Sequence, residues 1–197
     1  RYPLSIVPFA ATADGAPESR AALAALVPTG GSVMIVQATA IVLPEELARV
    51  VDGRVVQMVA TETIEAPAAD DIVHLTDADA AEMLALATLT RPGPFTSRAR
   101  ALGDFIGIRI DGRLAAMAGE RFRQPGFAEI SGVCVHPDFR GRGLARRLSA
   151  AVAARIFARG VVPYLHAYET NAAAICLYRS LGFRERATLH VTVAARG

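Results

Sequence analysis

Apolar positions recur with a helical period in some stretches of this chain and alternate with polar ones in others, so helices and strands are both expected. The pattern predicts a helix over Glu18–Leu26, a strand over Ser32–Gln37, a short helix over Pro44–Val51 and a strand over Val55–Thr61. Ala-Pro-Ala-Ala-Asp-Asp within Glu65–Asp71 has linker composition, which predicts an N-terminal α/β region over 1–70 and a main domain over 71–197. From Asp77, a candidate helix cap, the order becomes helix, loop, strand, hairpin, strand, helix, strand, helix, strand. The first of these helices carries Met83, Leu84 and Leu86, and Asp111-Gly112 is a strong hairpin turn between Phe105–Ile110 and Arg113–Phe122. Gln124-Pro125-Gly126 then turns the chain into a strand that carries Glu129. Leu144, Leu148, Val152 and Ile156 recur every four residues, with Ala145 and Phe157 beside them, and Arg155, Arg159 and Gly160 suit a helix C-terminus.

The junction between that strand and that helix is chemically distinctive. Ile130–Val135 is apolar enough to be buried, and Arg140-Gly-Arg-Gly-Leu-Ala145 opens the helix. The first backbone N–H groups of a helix lack intrahelical acceptors and, with the positive end of the helix dipole, attract phosphate oxygens. Gly141 and Gly143 let a ligand approach the backbone, while Arg140, Arg142, Arg146 and Arg147 add positive charge. A Walker A loop needs Gly-Lys-Ser/Thr, and all 21 basic residues here are arginine. A dinucleotide fingerprint needs a third glycine, and Arg146 stands there. What remains is Arg-x-x-Gly-x-Ala, met by Arg140, Gly143 and Ala145, which resembles the pyrophosphate loop of the Gcn5-related N-acetyltransferases (GNAT superfamily).

Downstream, Val162–Tyr168 reads as a strand, and Asn171-x-x-Ala-x-x-x-Tyr178 followed by Gly182-Phe183 resembles the last motif of the same superfamily. The resemblance covers roughly residues 75–195 and points to the FR47-like branch. It implies an α/β (α+β) GNAT fold: a mixed, mostly antiparallel sheet with splayed central parallel strands and helices on both faces. It also implies direct transfer of an acetyl group from acetyl-CoA, as co-substrate, to a primary amine of a small or amino-acid-like acceptor. Cofactor contacts would come from the backbone of Val133, Cys134 and Val135, from Arg140, Gly141, Arg142, Gly143, Leu144, Ala145 and Arg146, and from Asn171 and Tyr178. Tyr178 takes the role of proton donor to the leaving thiolate, and Gly132 can mark the bulge that splays the strand.

Two residues compete as general base. Glu129, flanked by apolar residues, is expected to have a raised pKa, and it resembles the strand glutamate of the histone acetyltransferase branch. His166 lies where ribosomal-protein and peptide N-acetyltransferases carry a glutamate, and imidazole titrates near neutrality. Each also has an ordinary reading as a hydrogen-bonded, half-buried residue, and a water chain can replace both. Tyr164, His166 and Tyr168 alternate onto one strand face. Arg91-Pro-Gly-Pro-Phe95, Arg98, Arg100, Glu120 and Arg121 are candidate acceptor lining, or ordinary turn and surface residues.

Composition narrows the classes further. A net charge of +2 and the absence of a basic tail or of aromatics interleaved with basic residues argue against nucleic acid. No apolar run approaches the ~18 residues of a membrane span, and the first residues do not resemble a secretory signal. Cys134 and Cys176 form no spaced framework and no ligand cluster, which fits a reducing cytoplasm and no metal. Cys134 as an acyl-accepting nucleophile has no neighbouring base in sequence. A protein or peptide N-acetyltransferase and a non-catalytic acyl-CoA sensor are the alternative functions, and a homodimer is an admissible assembly.

Overall fold

The computed structural model describes residues 2–68 and 70–197; Ala69, inside the expected linker Glu65–Asp71, lies outside the described residues, as does Arg1. In chain order the elements are α1 (Pro17–Leu26), β1 (Ser32–Gln37), β2 (Ala48–Ala60), β3 (Ile72–Leu75), α2 (Ala80–Thr90), β4 (Phe105–Ile110), β5 (Arg113–Gln124), β6 (Phe127–Val135), α3 (Leu144–Phe157), β7 (Val162–Tyr168), α4 (Ala172–Ser180) and β8 (Phe183–Ala195). The strands form one eight-stranded sheet in the order β1-β8-β2-β7-β6-β5-β4-β3. Every neighbouring pair is antiparallel except β6 and β7.

That order runs across the expected boundary at residue 70. β2, from the first 70 residues, is hydrogen-bonded between β7 and β8, so the N-terminal region is built into the sheet rather than appended to it. The expected helix over Pro44–Val51 is also absent: from Ala48 the chain is already strand, pairing Ala48 with Ala195 and Val51 with Val193. β-Branched Val50 and Val51 suit a pleated strand, and pairing with β8, which is distant in sequence, overrides the local helical signal. The four-residue edge strand β3 was not anticipated. Before α2, Thr76 rather than Asp77 makes the capping interaction, its N–H donating to the Asp79 carboxylate at 2.7 Å, while Asp77 pairs with Arg100 at 2.9 Å.

α3 lays Leu144, Leu148, Val152 and Ile156 against the sheet, in a core that also takes Val56, Met58, Ile106, Ala116, Leu165 and, from α4, Ile175 and Tyr178. α2 covers a separate cluster of Leu75, Met83, Leu86, Phe105, Leu114, Met117 and Cys134. The hairpin turn is as expected, with Asp111 and Gly112 both at positive φ (51° and 77°).

The centre of the sheet is where the site forms. β6 and β7 pair only at Phe127↔Val162, Ala128↔Pro163 and Glu129↔Tyr164, although β6 continues to Val135 and β7 to Tyr168. Beyond Glu129 the two strands part. Along β5, the register skips so that Ser131 faces Gly119 and Cys134 faces Met117, an extra residue in β6 at Gly132–Val133. Gly132 sits at φ +64°, and a Cβ there would lie 2.7 Å from Phe105 Cε1. Only glycine fits, which ties the bulge to the packing of the Phe105 ring.

Candidate active site

A cavity of about 800 Å³ opens where β6 and β7 part. One side is lined by Asn171, Ala174 and Tyr178 of α4 and by Ser131, Gly132 and Val133 of β6; the other by Gln57, Arg121, Glu129, Tyr164 and His166. Both sets belong to one continuous space.

On the loop side, the Pro137–Phe139 turn buries the Phe139 ring and sets the chain entering α3. Gly141 (φ +77°) and Gly143 (φ +72°) adopt left-handed backbone, and a Cβ at either would meet nothing within 4 Å, so the space above them is open. The first backbone hydrogen bond of the helix runs from Arg147 N–H to Gly143 O at 3.1 Å, leaving the amides of Leu144, Ala145 and Arg146 without intrahelical acceptors. Arg140 and Arg142 are exposed, with the Arg142 guanidinium 5.3 Å from the Phe139 ring centroid. Arg146 and Arg147 are differently used from what their charge suggested. The Arg146 side chain bonds Ser180 at the end of α4, and Arg147 bonds Asp71 at 2.9 Å, so both tie α3 to neighbouring segments. The β7-facing edge of Ile130–Val135 has no strand partner, which leaves backbone groups of Val133, Cys134 and Val135 beside the cleft. Open amides, exposed arginines and an unpaired strand edge form a donor set suited to a pyrophosphate followed by an extended amide-bearing arm.

Asn171 caps α4, its Oδ1 accepting from Ala174 N at 3.1 Å. Tyr178 is 8% exposed, packs edge-on against Phe183 at 6.1 Å, and reaches the cavity wall. Burial pushes its phenol up to about 12, so it carries its proton throughout the neutral range. Burial also pushes the Cys134 thiol up to about 11, against the hydrogen bonds of Thr90 and the Met117 backbone. A thiol held protonated in an apolar cluster is not an activated nucleophile.

Across the cavity, Glu129 is 1% exposed and forms two bonds with Arg121 (2.9 and 2.7 Å) and one with His166 Nδ1 (2.8 Å). Its pKa is not raised. Burial acts upward, but the Arg121 charge and the hydrogen bonds of His166 and Arg121 together bring it down to about 2. The apolar neighbours in sequence were misleading because Arg121 arrives from β5. An extra residue there, between Glu120 and Arg123 in the register, swings the guanidinium over Glu129. Arg121 is itself held 4.7 Å from the Phe9 ring and 5.1 Å from the Phe122 ring.

Two residues that sequence reading missed complete the polar group. Gln57 of β2 stands opposite His166, with its amide nitrogen 3.2 Å from Nε2, and Arg186 donates to the Gln57 oxygen at 2.6 Å. Since Arg186 claims the amide oxygen, the amide nitrogen faces the ring, and His166 accepts at Nε2 while donating from Nδ1 to Glu129. A lone Gln within the apolar run Val55-Val-Gln-Met-Val59 was the signal that sequence offered.

Of the expected acceptor lining, Arg91, Pro92, Gly93, Pro94 and Arg121 are at the cavity. Phe95 instead packs on Phe105, Arg100 bonds Asp77 and Leu75 O, Arg98 approaches Ser5, and Glu120 is buried against Arg123 and Arg159. Tyr164, His166 and Tyr168 do share one face, though Tyr164 is only 5% exposed and burial together with the Glu129 charge raises its pKa. Among the described residues no His/Cys/Asp/Glu group has metal-binding geometry, and no helix is long and apolar enough to cross a membrane.

Comparison with known proteins matches residues 105–191 to the family of FR47-like proteins. The N-alpha-acetyltransferase RimI of Mycobacterium tuberculosis is 41% identical over 83 residues, 41% of this chain and 51% of that protein. The ribosomal protein bS18-alanine N-acetyltransferase of Salmonella typhimurium is 46% identical over 59 residues, 29% of this chain and 40% of that one. The chain thus spans about half or less of the length of these curated relatives. The crystal structure of a GNAT-family protein from Novosphingobium aromaticivorans aligns over 98% of this chain and 86% of that one, with a TM-score of 0.92 and 44% identity. Identity at that level, sustained from the N-terminal strands through β8, reaches beyond a shared fold: the chain belongs to the GCN5-related N-acetyltransferase (GNAT) family.

Proposed function

We propose that this chain transfers an acetyl group from acetyl-CoA directly to a primary amine. The observation that carries this reading is the pairing of buried Glu129 with half-buried His166, which share a cavity with Tyr178 at the point where β6 and β7 part. Acetyl-CoA, when bound, supplies the acyl group as an activated thioester.

In this reading the Gly141–Arg146 amides, with Arg140 and Arg142, hold the pyrophosphate, while the free edge of Val133–Val135 and the Asn171 side chain hold the arm that follows. His166 takes a proton from the incoming ammonium at Nε2, the nitrogen that Gln57 now covers. Glu129 does not act as the base, since a carboxylate near 2 binds a proton poorly at neutral pH. It keeps the imidazole in the tautomer with Nδ1–H and stabilises the imidazolium once formed. As the amine nitrogen bonds to the acyl carbon and the carbon–sulfur bond breaks, Tyr178 gives its proton to the departing sulfur and recovers one from the second proton that the nitrogen sheds on becoming an amide. Cys134 takes no part.

The test combines calorimetry with acetyl-CoA and a thiol-release assay over primary amines. Tyr178→Phe should lower kcat while acetyl-CoA affinity holds, and His166→Gln should lower kcat with acetyl-CoA affinity likewise unchanged. Binding without turnover on any amine would favour a sensor, and no binding would overturn the reading. Transfer to a protein N-terminus is the second reading, favoured by the names of the two curated relatives above.

A further inference from the structure

The acceptor half of the cavity is walled in part by Tyr2, Phe9, Met34, Val36, Val55 and Gln57, all outside the FR47-like match of residues 105–191. The sheet register explains their convergence. His166 of β7 faces Gln57 of β2; two residues along, Val55 faces Leu189 of β8; and Val191 faces Val36 of β1. Met34, Val55 and Val191 form one apolar cluster with Phe9, Val36 and Leu189 packed on it. Neighbouring strands lie about 4.8 Å apart, so three steps carry an apolar floor about 14 Å from His166 to β1.

The N-terminal segment roofs this floor. Phe9 bridges to Met34, with Ala10 N–H to Met34 O at 3.0 Å, and the Tyr2 ring stacks on Phe122 at 5.2 Å. The Thr96 hydroxyl lies 2.8 and 2.7 Å from the carbonyl oxygens of Ser5 and Ile6, pinning the segment to the loop after α2. Charge completes the argument. Glu129 is the one acid among the described lining residues, and Arg121 and His166 occupy it. Nothing there can receive a second ammonium, whereas Arg91, also in the lining, opposes one. A peptide chain would also have to lay backbone polar groups on the apolar floor between β2, β8 and β1, whose facing edges are already paired with one another.

We infer that the acceptor is a small primary amine whose remaining group is uncharged and apolar, and that this group lies on the floor of Val55, Leu189, Val191, Val36 and Met34 beneath Phe9. The inference rests on the acetyl-transfer reading above.

Thiol release should be followed with ethylamine, butylamine, hexylamine and phenethylamine, and beside them with putrescine, phenylalanine and an alanine-initiated peptide. The expected result is a rise in kcat/KM from ethylamine to hexylamine of up to about fourfold per methylene, the factor equivalent to ~0.8 kcal/mol per buried CH2. Leu189→Gln should collapse the hexylamine-to-ethylamine ratio, a readout that general misfolding does not move. Flat dependence on chain length, preference for putrescine or phenylalanine over phenethylamine, or preference for the peptide would each overturn the inference while leaving acetyl transfer standing. Failure of every amine to release thiol would overturn both.

Discussion

Glu129→Gln tests the central electrostatic claim, because it keeps the shape of the side chain and removes its charge. In the native protein the carboxyl pKa falls from 4.5 to about 2, mainly through Arg121 and His166 acting against burial. At ~1.36 kcal/mol per pH unit this corresponds to about 3 kcal/mol. The native value lies below the unfolded one, so that stabilisation is complete above 4.5 and is lost as pH falls from there through 2. The variant lacks it at every pH and leaves Arg121, whose side chain is 14% exposed, without its anion. Urea unfolding followed by circular dichroism should place Glu129→Gln a few kcal/mol below the wild type at pH 7, with the gap narrowing as pH falls below 4.5 and with unchanged m-values. Equal stability at pH 7, or a gap that stays constant down to pH 3, would refute the assignment of Glu129 as an ionised, buried partner of Arg121.

Gly132→Ala puts a Cβ 2.7 Å from Phe105 at a positive φ, and thermal or urea unfolding should show a loss of about 1–3 kcal/mol. Gly143→Val places a β-branched residue at φ +72° in open space, so calorimetry should show weakened acetyl-CoA binding with a smaller loss of stability than at Gly132. Of the two thiols, exposed Cys176 should react with Ellman's reagent in the native protein while buried Cys134 reacts only on unfolding. Cys134→Ala should retain turnover within a few-fold, and abolition of turnover in a folded variant would reinstate it as an acyl carrier.

What could be read from sequence was what depends on near neighbours. Ser32–Gln37, the Asp111-Gly112 hairpin and the four-residue repeat of α3 each express a local period or turn preference, and each is found as expected. Pro44–Val51 failed because β8, more than a hundred residues away, recruits Ala48–Val51 into a strand. The Glu129 environment failed for a similar reason. Its sequence neighbours are apolar, but the group that sets its charge is Arg121, delivered by a register shift across the hairpin. Arg146 and Arg147 show that a basic residue beside an open glycine turn need not face it, since Ser180 and Asp71 claim them.

The sequence alone determined the local features on one side of the cavity: the glycines at 141 and 143, the helix they open, and Asn171 and Tyr178 seven residues apart along α4 and its cap. These features follow from backbone conformation and helix ends, which near neighbours control. The opposite side of the cavity was decided only by tertiary structure. Phe9, Val36, Gln57, Arg121, Glu129, His166 and Leu189 meet because the sheet inserts β2 and β8 between β1 and β7. Strand order and register depend on contacts between segments far apart in the chain, and no local pattern encodes them.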